Sequence, residues 1–522
     1  MKYDFELRRS PVSAVKSGQA EAVVACTAKS RWASAFGGPD VDIGPRVGPG
    51  FDGTEADGNA AVTERLQADE VCAADGIRYR SCSWPKTAAL LFAEYIGLAI
   101  MCFPAAYAQL GWVGGLVSTL FVAASYQYTS LIIWEFCLRH PEVRDICDIG
   151  RLVFGNTDWA YWVTAIMFVG NNSGLHVVVG GEYLNTVLAH WSAPVCKTVL
   201  FCLITAILCW VTSLPRTFSM LSHLATLSAL FTFVSVSLAA AFIATQEHPA
   251  NYVPATDGDI VDGSLPVGEP VFSAWPAPGY SFVSIMVAFL NICYTFIGQI
   301  TVPSFVAEMK DPRDFPKALW LCTSAELVVF CTIGTVIYKY TGMQYVTSPA
   351  FGGLEHVSKV LSFSFMVPTT VILGAMYASI TARFVFFRVF EDTVHLRRHT
   401  VVGWSAWSGI LLVTWTAGFL VSQIIPFFSS LLALVAAIFN AFFGFIYWGA
   451  AWLRMRGADH RAGRRVRSKE WDRVLVAVNV SMIVVGVGVF LGAGTVASIN
   501  HILHQFAVGN VKGVFTCSSN AV

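Results

Sequence analysis

Residues 93–115 read AEYIGLAIMCFPAAYAQLGWVGG, and residues 291–312 read NICYTFIGQITVPSFVAEMKDP. Both are apolar enough to lie in a bilayer, and both carry a glycine followed by a proline near mid-span: Gly97 with Pro104, and Gly298 with Pro303. Glycine loosens a helix, while proline removes a backbone donor and clashes with the turn before it, so each span is predicted to unwind there. Unwound backbone at membrane depth is tolerated only where it lines a cavity or is covered by protein. The two prolines stand roughly two hundred residues apart, a separation of five spans, and interrupted helices at equivalent places in two halves point to a binding site between inverted repeats. Freed N–H groups and the positive ends of half-helices suit a carboxylate, and freed carbonyls suit an ammonium or a cation, so a zwitterion fits both. A proline kink that serves packing alone accounts for one such span as well, and for a matched pair less well.

Outside these two spans the composition agrees. The chain has 522 residues, 55% of them hydrophobic and 13% charged, with a mean hydropathy of +0.58. Soluble domains carry about a quarter charged residues, so a soluble protein is excluded. Eleven stretches are long enough to cross a bilayer: 86–108, 112–138, 158–188, 195–213, 220–245, 280–308, 316–341, 359–388, 401–424, 427–453 and 473–499. The third, sixth and eighth are the longest, which implies tilt, a break or extension beyond the hydrocarbon. A receptor with seven spans would require four strongly apolar stretches not to cross.

Residues 1–83 mix Gly, Ala, Asp, Glu and Pro without sustained periodicity, and read as a disordered tail. A short stretch from Ala61 to Cys72 has helical periodicity. The first apolar run starts near Ala88, so no cleavable signal peptide is read. A membrane domain is expected over 84–500, followed by a short extracytoplasmic tail at 501–522. The thirteen cysteines lie mostly inside apolar stretches, among them Cys102, Cys202, Cys209, Cys293, Cys322 and Cys331. With no CxxC pair they read as small buried hydrophobes rather than disulfides or metal ligands.

Charge reports topology. Loops after even-numbered spans carry the bases: Arg139, Arg144 and Arg151; Arg216; Lys310, Arg313 and Lys317; Arg397 and Arg398; then a run from Arg454 to Lys469. The alternate loops carry almost none, and the longest of them, about 246–279, has five acidic residues and no Lys or Arg. The N-terminus is therefore expected in the cytoplasm and the C-terminus outside. The basic run RMRGADHRAGRRVRSKEWDR, 454–473, reads as a cytoplasmic topology anchor able to touch anionic lipid, not as a nucleic-acid site.

Ionisable groups inside a membrane are expensive and by default functional hypotheses. Glu94 lies one turn before Gly97, His176 is in the middle of span three and Glu326 in the middle of span seven. Each is a candidate for carrying a coupling proton, weighed against a structural hydrogen bond between helices. Asn171 and Asn172 are placed to share the cavity of His176, or to hold helices together. Glu182 and Arg383, nearer span ends, read as structural groups that reach the interface.

At this point the residues resemble a known family. The stretch GLAIMCFPAAYAQLGWVGG, 97–115, is similar to the first-helix signature of the amino acid/auxin permease family, and EMKDPRDFPKAL, 308–319, to the segment that closes its sixth helix. SLPRTFSMLSHLATLS, 213–228, resembles the fungal neutral amino acid permease branch. The likeness runs in order over about 84–455. It implies an all-α polytopic fold of about eleven helices like that of the bacterial leucine transporter, five plus five plus one, with helices 1 and 6 broken. It also implies transport usually coupled to protons. The family's Gly-x-Gly of the first helix is here Gly97, Leu98, Ala99, and the extra methyl narrows the space beside the backbone.

Carried over by position, the resemblance puts the substrate main chain around Gly97, Leu98, Ala99 and Ile100 in span one and Tyr294, Thr295, Phe296 and Gly298 in span six, with Phe296 as a wall suited to apolar or aromatic side chains. The expected function is secondary active symport of neutral amino acids with protons, at the plasma membrane. A vacuolar or auxin-like carrier and a non-transporting amino acid sensor are the competing readings. The expected partners are an amino acid and the lipid bilayer, with no nucleic acid, no cofactor beyond the coupling proton, no metal and no obligatory protein partner. Paired catalytic acids, an HExxH helix and a GxSxG elbow are all missing from the sequence, which argues against an intramembrane enzyme.

Overall fold

The computed structural model describes residues 36–38, 41, 43–47, 82–515 and 517, apart from 142, 144, 156, 172–173, 190–195, 217, 255–267, 278, 297, 391–392, 394, 396–399, 465–467 and 509–513. Helices dominate them, and a single bridge between Cys82 and Met309 is their only β pairing. The expected helix between Ala61 and Cys72 lies outside the described residues, as does Asn172.

The first span is two helices, α1 (Trp84–Tyr95) and α2 (Phe103–Leu110), joined by the 3-10 turn Leu98–Cys102 and bent by 49°. Gly111, in a left-handed conformation (φ 72°), separates α2 from α3 (Trp112–Arg139). Then come α4 (Ile146–Val153), capped by Asp145, and the third span as α5 (Asp158–Asn171) and α6 (Leu175–Val187). Gly174, at φ 75°, opens α6 where a Cβ would strike the carbonyl of Gly418, so this break needs glycine. Next are α7 (Lys197–Ser213) and α8 (Phe218–Thr245), then the sixth span as α9 (Phe282–Thr295) and α10 (Val302–Glu308). The remainder is α11 (Phe315–Tyr345), α12 (His356–Val389), α13 (Val401–Ile424), α14 (Phe428–Arg461) and α15 (Lys469–Ala507). Helices α14 and α15 face each other through wide π-type turns, Ala436–Ile446 and Gly486–Gly494.

The described residues of the expected stretches are largely helical, and the two long spans three and six owe their length to breaks, whereas the eighth is one 34-residue helix that runs through Pro368. Among the described residues, seven helices are long and apolar enough to cross a membrane, or eight with α1 and α2 counted as one span; α7 and α9 are apolar but shorter. Large apolar side chains lie exposed along them, such as Val117, Val328, Val413 and Val484, as lipid contact requires.

Packing sorts the helices into two groups. Helices α1, α2, α3, α9, α10 and α11 pack on one another, while α6, α7, α12 and α13 form a second group with its own core, including Val177, Cys209, Ala382, Trp407 and Trp415. Helix α8 packs along α12 and also touches α1 and α11, so it borders both.

The loops gather at two ends. At one, Trp112 N–H bonds the Ser273 carbonyl, Met343 N–H bonds that of Val271 and Ala250 N–H bonds that of Gly353, each at 3.0 Å. At the other end sit the bases. Buried Arg139 holds both oxygens of Asp459 at 3.0 Å and also pairs with Glu135, and Arg456 grips Asp472 at 2.7–3.1 Å.

Three expectations change here. Within the tail expected to be disordered, Ile43 and Val47 are buried: Val47 N–H donates to His140 Nε2 at 2.8 Å, Arg139 donates to the Pro45 carbonyl, and Phe36 stacks on Trp320. The composition hid this because two isolated apolar residues are enough to dock a segment on a core that already exists. Second, Cys196 and Cys517 form a disulfide, although the cysteines read as a set of unpaired hydrophobes. A separation of 321 residues leaves no local spacing to read. Helix α15 also continues to Ala507, past the expected end of the membrane domain at 500.

Candidate functional site

The breaks are built alike. Helix α1 ends at Tyr95, and Gly97 is extended (φ −103°, ψ −175°) before the 3-10 turn. Helix α9 ends at Thr295 and α10 begins at Val302, with Gly298 to Thr301 held in turns before it. Pro104 and Pro303 stand in the first turn of α2 and α10, where a missing N–H is harmless and the fixed φ favours the helix. They therefore start the second half-helices, and the unwinding lies just before them. Gly298 N–H bonds Gln299 Oε1 at 3.1 Å, and the Gly298 carbonyl accepts from Thr301 N–H and from Thr301 Oγ1 at 2.9 Å.

Between the breaks and the second helix group lies a cavity of about 80 Å³. That is room for roughly six waters at about 10–15 Å³ each. Group one contributes Glu94, Tyr95, Gly97, Leu98, Ala99, Tyr294, Thr295, Gly298, Ile300 and Thr301. Group two contributes Leu175, His176 and Val179 from α6, with Thr369, Thr370, Leu373 and Tyr377 from α12. The α12 residues recur every three or four positions, so they share one helix face.

Of the residues picked from the sequence, Gly97, Leu98, Ala99, Tyr294, Thr295, Gly298, Glu94 and His176 line this cavity. Ile100 and Phe296 do not. Ile100 is buried in the core of the first group, and Phe296 stacks on Tyr126 and meets Phe330 edge-on at 5.4 Å. The aromatic wall expected of Phe296 comes instead from Tyr294 and Tyr377. Ile100 lies inside the turn of the first break and Phe296 at the start of the second, and both side chains pack into the core instead of the cavity.

Glu94 is buried, and neither carboxyl oxygen has a hydrogen bond of full geometry; the side chains of Thr301 and Tyr377 stand nearest. His176 faces the Thr370 carbonyl, with its ring 6.2 Å from that of Tyr377. Glu326 is outside the lining, behind α1, where Cys322 Sγ donates to it at 3.5 Å. Both carboxyls act on Cys322 and Tyr95, which places Glu94 and Glu326 on either side of one α1–α11 contact. Glu182 was expected at the interface, but it is buried on α6. The α12 lining went unread because Thr, Leu and Tyr on one helix face look like ordinary packing until the facing breaks are known.

A profile described as "Transmembrane amino acid transporter protein" matches residues 80–492. The chain belongs to this family. The transporter is 26% identical over 448 residues to the "N amino acid transport system protein" of Neurospora crassa, covering 84% of this chain and 89% of that protein. It is likewise 26% identical over 452 residues to a "Transmembrane transporter" of Fusarium pseudograminearum, covering 86% and 89%. Among solved structures it resembles a Na+-coupled sialic acid symporter in a substrate-bound outward-open state (TM-score 0.49, 12% identity, 86% of this chain and 97% of that one). It also resembles a nucleobase-cation-symport-1 family transporter with bromovinylhydantoin bound (TM-score 0.46, 14% identity, 82% and 94%). The transporter is thus a multi-pass membrane carrier of the amino acid family, with a cavity at the junction of its two helix groups.

Proposed function

We propose that the protein is a proton-coupled symporter of neutral amino acids that works by rocking its two helix groups against each other around the broken spans. The observation that carries this is the cavity: both breaks open onto it, and Glu94 and His176 line it with no Lys or Arg among the lining residues. The half-helix ends that meet at the two breaks are suited to the charged ends of a zwitterion. Leu98, Val179, Leu373, Tyr294 and Tyr377 then surround the side chain. In the form described, the space suits a small amino acid, and a longer side chain requires Leu373 or Val179 to move aside. A substrate with a second negative charge would meet Glu94 and find no cation.

Coupling requires a proton acceptor whose affinity differs between the two states. Glu94 sits on the first group beside the break, and His176 sits across the cavity on the second. Their distance changes whenever the groups rock, so each is placed to feel the transition. The alternation of bases supports an N-terminus inside with eleven crossings, and the plasma membrane is the residence proposed, with the vacuolar membrane as the alternative.

The test uses purified protein in proteoliposomes. Glu94→Gln and His176→Ala are expected to retain exchange of labelled alanine between equal pools and to lose accumulation driven by an imposed pH gradient. Accumulation driven by a sodium gradient alone, with no substrate-dependent proton movement, overturns the coupling assignment. Exchange of none of a panel of neutral amino acids, by protein that still binds them, would favour a sensor.

A further inference from the structure

Helix α6 carries a second buried acid that the cavity does not include. Leu175 and Val179 line the cavity, and Glu182 follows at the third step of the same stripe. At 1.5 Å per residue it lies about 10 Å beyond Leu175 and about 4.5 Å beyond Val179 along the helix. Its side chain is 4% exposed, and its Oε2 has no hydrogen-bond partner. No ion pair to Glu182 is found among the described residues, and the groups it acts on are two thiols, Cys102 and Cys202.

Both thiols lie among groups that relate this part of α6 to the rest of the molecule. Cys102 closes the 3-10 turn of the first break, and its sulfur accepts from Ser348 Oγ at 3.2 Å. Ser348 belongs to the half-buried connection between α11 and α12, at the end of the molecule opposite the bases. Cys202, on α7, stands against the side chains of Ser422 and Gln423 at the end of α13. No charged group from α12, α13 or α14 acts on Glu182. By its place on α6 the carboxyl therefore stands between the cavity and the base-poor face, buried and without an ion pair among the described residues. A lone buried carboxyl without a cation or full hydrogen bonding is costly as the anion, so a purely structural role is poorly served by glutamate where glutamine would bond as well.

We propose that Glu182 is the outer protonation site of the transporter, taking up the coupling proton from the base-poor side and delivering it to the cavity. The step is a plain proton transfer. The carboxylate accepts a proton from outer water, releases it to water in the cavity, and returns to the carboxylate as Glu94 or His176 becomes protonated. This rests on the proton-coupled reading above, and adds that the outward half of the path has its own acceptor on the second helix group.

The experiment compares wild type with Glu182→Gln, using uptake of labelled alanine by transporter-deficient cells at stepped external pH, together with alanine exchange in proteoliposomes. Coupling between two ligands on one carrier is typically about 5–150-fold. Glu182→Gln is therefore expected to lose about tenfold or more of pH-driven accumulation, and its response to external pH, while exchange stays within about twofold of wild type. An unchanged external-pH response in Glu182→Gln overturns the inference while proton coupling stands. Exchange lost in parallel with accumulation, with a lowered Tm, also overturns it, since that is what a structural role predicts. A wild type indifferent to pH removes the coupling reading itself, and that result is seen without any variant. If Glu182→Gln does not reach the membrane, Glu182→Asp decides: retracting the carboxyl by one methylene must shift the external-pH midpoint, and an unshifted midpoint overturns the proposal.

Discussion

The two glycines of the broken spans are not equivalent, and their difference gives a sharp test of the site. A Cβ built at Gly298 runs into the ring of Tyr95, meeting Cε1, Cζ and the hydroxyl at once. A Cβ at Gly97 meets only Leu373 Cδ1 at 3.5 Å, an ordinary contact. Tyr95 is the last residue of α1 and also lines the cavity, so it cannot yield without changing both. Overpacking of a filled site costs about 1–3 kcal/mol. At about 1.4 kcal/mol per factor of ten, that is roughly a 5- to 150-fold loss of the transport-competent arrangement.

Gly298→Ala is expected to lower uptake per surface molecule by that range and to lower the Tm of purified protein. Gly97→Ala should leave surface abundance and Tm unchanged and act only on apparent substrate affinity, through a methyl added to the cavity. Tyr95→Phe should not rescue Gly298→Ala, because Cε1 and Cζ remain in the way. Tyr95→Leu should rescue it in part, which a double-mutant cycle reads as a coupling energy. Wild-type uptake and Tm for Gly298→Ala would refute the packing of Tyr95 on Gly298.

Three further outcomes follow from other parts of the molecule. If Cys196 and Cys517 are joined on the outer face, an impermeant maleimide added to intact cells should label them only after reduction; labelling without reductant would break the assignment. Ile43→Asp or Val47→Asp, which buries a carboxylate without a partner, should lower the Tm of purified protein and expose the Arg139 region to proteolysis, whereas an unchanged Tm would mean that the segment contributes nothing to stability. Arg139→Ala removes the cation that holds both oxygens of Asp459, which keeps Arg464 at 3.7 Å, and should cost less than the ~3–5 kcal/mol of a fully buried broken pair, seen as lost surface abundance, with partial recovery on adding Asp459→Asn.

The membrane class, the helical stretches and the alternation of bases were legible in the sequence because each follows from a local rule. About twenty apolar residues can span hydrocarbon, and a glycine followed by a proline at mid-span favours a break in the helix. The two breaks at Gly97 and Gly298 were legible for the same reason. What the tertiary structure decided is which side chains meet. Thr369, Thr370, Leu373 and Tyr377 became part of the cavity because α12 happens to face the breaks, and Phe296 left it because its ring turned to Tyr126 and Phe330. The burial of Glu182, the docking of Ile43 and Val47, and the Cys196–Cys517 bond likewise join residues whose spacing along the chain carries no signal. Hydropathy and backbone propensity act within a few turns of one helix. The composition of a cavity between two helix groups is set by how those groups pack, and that is a property of the folded molecule alone.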